Sequence, residues 1–302
     1  VVGCLYLMNL FSTKPYSLDH FLAKELIVSM TESPEYMTYL GLFDNFDFVT
    51  KHNQKLSIPS AEQSKENYEN NVEKLKIIKG CNINTLERDQ RITQKIALFD
   101  TQNDIERYER FKYHSYPFNQ ISGNHLNLVE FMTDTHPLKS RTDAENYIER
   151  VQMFDEVLEA NLLWLEEQKR QNIYAPKFVF DHVIKQLNEL INYDDSENPL
   201  MVIFKDKVNK LNLKTEETDK LIKELSKVIS EDVKPGFQLI LSFMESNYEM
   251  ANKYHGVWSL PDGDDYYALR LRSYTTTDYS AEEIHQLGLQ EVDRIGLSLI
   301  HI

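Results

Sequence analysis

The chain is short of the residues that bend, cross-link and positively charge a protein. Its 302 residues include 2 Cys, 9 Gly, 9 Pro and 2 Trp. The two cysteines, Cys4 and Cys81, cannot build a disulfide framework or a four-thiolate metal site. Glycine and proline each make up about 3% of the chain, below the ordinary usage of roughly 7% and 5%, so turns are few and long helices are expected. Cationic residues are scarce: 33 Lys and Arg stand against 48 Asp and Glu, a formal charge of −15. Nucleic acid and anionic lipid are bound largely through Lys and Arg, so the balance excludes nucleic acid as a partner and leaves the membrane only through a lipid anchor. The apolar opening VVGCLYLMNLF is too short to span a bilayer, which takes about 20 residues. Three catalytic signatures are also missing: His-Glu-x-x-His, Gly-x-Ser-x-Gly and a Gly-rich phosphate loop.

Apolar residues account for 41% of the chain, with 17 Tyr and 15 Phe, and they recur at helical spacing. The first stripe is Leu18, Phe21, Leu22 and Leu26. Ser33-Pro34-Glu35 then reads as an N-cap, a proline at the first helical position and an acidic first turn, with Gly41 as the stop. Ser60 and Gln63 form a capping box ahead of Tyr68, Val72, Leu75 and Ile78. Ile92, Ile96 and Phe99 lie on a helix from about Thr85 to Lys112. Tyr113 to Lys139, rich in His, Asn, Pro and aromatics, reads as a long structured loop. A second box, Thr142 and Glu145, opens a helix carrying Val151, Phe154, Leu158 and Leu165. Further helices follow Ala175-Pro176, Pro199, a Thr215 cap and Pro235-Gly236. All of these stripes are expected to face a core.

The pattern changes in Trp258 to Asp278, WSLPDGDDYYALRLRSYTTTD. Pro261-Asp262-Gly263 is a turn signal, Leu269, Leu271 and Ser273 alternate with Arg270, Arg272 and Tyr274, and Thr275 to Thr277 favour extended backbone. The expected fold is therefore mainly α, a multi-helix array with one β-strand or hairpin region near residues 258–278. Ser280 and Glu283 then cap a last helix with Ile284, Leu287, Val292 and Ile295.

Chemistry is sparse. His114, His125 and His136 are eleven residues apart in turn, a spacing no single helical zinc site uses, and they read as surface or loop residues. Asp194-Asp195 and Asp264-Asp265 read as turn residues rather than acid/base dyads. The best candidate is the predicted edge strand. Across residues 255–285, Tyr266, Tyr267, Arg270, Arg272, Tyr274 and His285 put phenols, guanidinium forks and an imidazole close to that edge. An open edge could hold an extended peptide or a small amide substrate, with Arg pairing to a carboxylate. The competing reading is that these residues only pack and pair between helices.

The stretch Gly256 to Ile295 resembles the region preceding the catalytic motif in the bacterial domain-of-unknown-function 885 family, mostly exported, often lipid-anchored proteins similar to gluzincin zinc metallopeptidases. ESPEYMTYLGLFD (Glu32 to Asp44), YPFNQISGNH (Tyr116 to His125), and Pro137-Leu138 with Thr142-Asp143-Ala144-Glu145 fall in the same order. The resemblance implies zinc in the intact protein, held by a later helix with a His-Glu-x-x-x-x-His pattern and a distant Glu. No residue here carries that pattern, so no catalytic or metal role transfers to this chain. On this reading residues 12–295 are the N-terminal, non-catalytic portion of a zinc-dependent peptidase or amide hydrolase. Residues 1–11 are an export-signal or lipobox remnant, with Cys4 as the acylated residue and a buried or frayed segment as the competing reading. Residues 296–302, GLSLIHI, are a non-native tail. The location expected is exported, periplasmic or anchored to the envelope, with the cytoplasm as the alternative. The rival function is a non-enzymatic helical module that binds a peptide or partner helix.

Overall fold

A computed structural model of the chain describes residues 17–41 and 50–300. Cys4 and the lipobox lie outside the described residues. In chain order the α-helices are α1 (Leu18–Glu32), α2 (Pro34–Leu40), α3 (Ala61–Gly80), α4 (Arg88–Phe111), α5 (Asn124–Glu130), α6 (Arg141–Gln152), α7 (Phe154–Arg170), α8 (Lys177–Asn192), α9 (Pro199–Val208), α10 (Thr215–Val228), α11 (Lys234–Ser246), α12 (Gly263–Thr275) and α13 (Ala281–Ile300). No strand occurs among the described residues. The chain divides into two compact units, residues 1–66 with 115–253 and residues 67–114 with 254–302.

In the first unit the expected punctuation largely holds. Ser17 and Ser33 accept from the backbone N–H groups of His20 and Tyr36 at 3.3 and 3.1 Å. Pro34 opens α2, and Gly41 closes it at φ 59°, a left-handed turn that glycine adopts without steric cost. The cap of α6 lies two residues upstream of the expected Thr142: Ser140 accepts from the N–H of Asp143 at 3.1 Å. Likewise Lys214, not Thr215, is the cap residue of α10. The expected loop 113–139 instead contains α5 and a π-turn, Phe131–Thr135, with His125 and Met132 fully buried. α10 and α11 run on through a second π-turn, Ile229–Val233. Pro235, two residues past its end, has no N–H to donate into this turn, and a widened turn accommodates that break. α11 packs on α7 and α8. Phe154, Leu158, Phe180, Val183, Phe237 and Ile240 fill the space between.

Beside this apolar core lies a buried polar one. Arg150 is fully buried and donates to Lys55 O at 2.8 Å, Thr38 Oγ1 at 3.0 Å and His136 Nδ1 at 3.0 Å. One side chain on α6 thus ties down α2 and the turn Thr50–Gln54.

In the second unit Tyr68 stacks on Tyr108 with ring centroids 4.5 Å apart, and its hydroxyl donates to Glu109 at 2.7 Å. Gln94 donates to the carbonyls of Ile78 and Cys81 at 2.9 and 2.8 Å, closing the C-terminal end of α3. Two sequence expectations fail here. The buried residues of α4 are Gln94, Thr101, Asn103 and Phe111, while Ile92 and Ile96 are exposed. The region expected to be a strand or hairpin near 258–278 is helix α12. Asp264 and Asp265 occupy its first turn, where acidic groups favour a helix N-terminus. Gly263, Tyr266, Leu269 and Ser273 recur at helical spacing on its covered side. The threonines come only at the end, where Thr276 stops the helix in a left-handed conformation, φ 54°. The Ser280–Glu283 box forms in full, at 3.2 and 2.8 Å. Its helix α13 leaves Leu287, Leu289, Val292, Ile295 and Leu297 exposed.

Candidate functional site

Within the second unit α4 and α12 lie side by side and enclose a cleft of about 320 Å³. Asp100, Asp104 and Arg107 line it from α4, at spacings of four and three that place them on one helix face. Leu269, Arg270 and Ser273 line it from α12. Two anchors hold the helices together. Arg272 donates to Asn103 Oδ1 at 3.0 Å and pairs with Glu106. Arg110 pairs with Glu106 at 3.4 Å and also with Asp265. At the open end of α12 the Tyr266 ring packs on Phe111 and His114, with centroids 5.4 and 5.0 Å away, and His114 Nε2 bonds the carbonyl of Pro261 at 2.7 Å.

The six residues singled out in the sequence therefore part company. Tyr266 and Arg272 are taken up in packing and pairing with α4. Arg270 opens on the cleft: it donates to the Tyr274 hydroxyl at 2.6 Å and lies 4.8 Å over that ring, and it pairs with no carboxylate among the described residues. Tyr267 and Tyr274 are exposed, and His285 is exposed on α13. Because α12 is a helix, its backbone groups bond within it, and added-strand pairing to an open edge is ruled out at this segment. Asp100, Asp104 and Arg107 were missed, although their helical spacing on a charged face was visible. What pairs that face with Arg270 is a contact over more than 160 residues of sequence.

No group of three or more His, Cys, Asp or Glu is arranged to hold a metal ion among the described residues. The described residues do not fit a zinc centre. Of the three histidines expected in loops or on the surface, His114 and His136 do lie in loops and His125 on α5, and all three are buried, each with its own partner. His125 Nε2 faces Gln186 Oε1 at 2.9 Å, and burial lowers its pKa. His136 is pushed down to about 3, by burial first and then by the Arg150 charge. Desolvation also lowers Arg150, to about 10. In the first unit an apolar cavity lined by Phe118, Tyr174 and Phe243 holds only about 20 Å³, room for little more than one water.

Comparison with known proteins decides the family. Residues 34–301 match the family described as "Bacterial protein of unknown function (DUF885)". The chain belongs to this family. No curated protein matches it. Among solved structures, this DUF885 chain is similar to "the putative lipoprotein from Colwellia psychrerythraea", with a TM-score of 0.69 and 22% identity over 87% of this chain and 50% of that one. The chain thus spans about half the length of that relative. At this identity the likeness establishes the shared fold.

Proposed function

We propose that this DUF885 chain is the helical, non-catalytic portion of a zinc-dependent peptidase or amide hydrolase whose metal ligands lie outside it. Its own part is to hold substrate in the α4–α12 cleft. The observation that carries this reading is Arg270, a guanidinium with no carboxylate partner among the described residues, opening on a cleft large enough for a small peptide. It lies in the segment most similar to the region preceding the family's catalytic motif. Tyr267, Tyr274 and His285 are the exposed residues available beside it, while Tyr266 and Arg272 act by fixing α12. On the same reading the protein is exported and anchored to the envelope through Cys4. The test is hydrolysis of short peptides by protein expressed from the complete reading frame, before and after chelation. Activity that is lost with the metal and restored by zinc is expected; a protein with no chelator-sensitive activity contradicts it.

A second reading is favoured by a different observation. α13 exposes an apolar stripe of Leu287, Val292 and Ile295, the kind of surface that a non-enzymatic module offers to a partner helix. In that case the complete protein holds no zinc, and substitutions on α13 abolish partner binding while those in the cleft do not.

A further inference from the structure

We infer that the α4–α12 cleft binds a zwitterion the size of a short peptide with free ends, its carboxylate on Arg270 and its ammonium on Asp100. The inference rests on the reading of this cleft as a peptide site and deepens it by naming the ends that are recognised. Four charged side chains line the cleft: Asp100, Asp104, Arg107 and Arg270. Their charges cancel, so a ligand of one sign gains no net attraction. The four are not equally occupied. Asp104 and Arg107 neutralise each other at 2.9 Å on the same helix. Arg270 and Asp100, on opposite walls, have no ion partner among the described residues. A zwitterion answers both at once.

Arg270 is also prepared for the role. The Tyr274 ring under its guanidinium and the hydroxyl at 2.6 Å restrict the side chain, which lowers the entropy lost on binding. Of the five N–H donors of a guanidinium only one is bonded within the protein, leaving a fork able to take a carboxylate through two parallel bonds. Leu269, buried between the charged walls, supplies an apolar floor for the atoms between the ligand's ends. The volume, about 320 Å³, is at the lower end of ligand pockets and suits a dipeptide better than a large cofactor.

The test is calorimetric titration of the 302-residue chain with alanyl-alanine, its N-acetylated form and its C-terminal amide. Each blocked form is expected to bind roughly five- to tenfold more weakly, the loss of one charge-assisted contact. Arg270→Gln should weaken alanyl-alanine by a similar factor but leave the amide unchanged, and Asp100→Asn should do the same for the acetylated form. Both side chains lie at the surface of the cleft, so the variants fold, and Arg270→Lys should restore part of the affinity. No binding of alanyl-alanine at about 10 mM, blocked forms that bind equally well, or variants indistinguishable from the parent would each overturn the proposal. Binding requires no metal. A negative result here leaves the chelation test of hydrolysis standing, and a zinc-free complete protein leaves this result standing.

Discussion

Arg150 donates from its guanidinium to Nδ1 of His136 across 3.0 Å, and both side chains are buried. A cation without a buried carboxylate partner is an unusual way to hold a turn in place. It persists because three further acceptors on α2 and on residues 52–55 converge on the same group. Its neighbour stays neutral, so the histidine acts as an acceptor rather than as a repelling charge.

Replacing Arg150 with Met should orphan several buried acceptors at once, each costing about 1–3 kcal/mol. A loss of about 3 kcal/mol or more is expected in urea unfolding. A loss below about 1 kcal/mol would show that the network contributes little beyond packing.

The same pair sets a pH dependence. The folded His136 has a pKa of about 3 against 6.5 for the free side chain. Below about pH 6.5 the unfolded chain therefore takes up a proton that the folded chain refuses. Stability from this group is complete above pH 6.5 and is lost as pH falls towards 3, at up to about 1.4 kcal/mol per pH unit. His136→Gln keeps an acceptor for Arg150 without titrating. Unfolding measured at pH 7 and pH 5 should show a steeper fall for the parent than for this variant, and equal slopes would count against the assignment.

Gly263 is fixed by contact rather than by backbone freedom. A Cβ at this position would meet the carbonyl oxygen of Val257 at 2.0 Å, and a backbone atom cannot swing aside. Gly263→Ala should displace the start of α12 and cost about 1–3 kcal/mol. The cleft would shift with it, so alanyl-alanine binding should weaken together with the melting temperature. An unchanged melting temperature would place the start of α12 wrongly.

The exposed stripe on α13 should make the chain self-associate and bind a hydrophobic dye. Val292→Glu with Ile295→Glu, both at exposed positions, should abolish concentration-dependent association in sedimentation without lowering the melting temperature. A parent chain that stays monomeric at every concentration would remove the basis for a covered α13.

Much of the helical body was legible because stripes such as Phe154, Leu158 and Leu165 repeat at the helical period and end at capping residues. Two segments misled for physical reasons. Around Leu269 the alternation of Leu and Arg fits a strand as well as a helix. The decision rests on which side α4 covers, a tertiary fact, and on two aspartates whose effect on a helix start is local. On α4 the buried side carries Gln94, Thr101 and Asn103, polar residues that bury only because partners such as the Ile78 carbonyl or Arg272 are waiting. Arg270 was identified from its company of tyrosines and arginines. Asp100 could not be assigned to the same cleft, since only folding brings α4 and α12 together. The burial of the three histidines was not legible for the same reason: each packs against a partner that composition cannot name.

The proposed role is the substrate side of a zinc hydrolase whose metal ligands lie elsewhere in the protein. Zinc content per polypeptide, measured side by side on the 302-residue chain and on protein from the complete reading frame, tests it most directly. Stoichiometric zinc is expected in the complete protein and none above background in the shorter chain. A complete protein free of zinc after purification and zinc supplementation would contradict it.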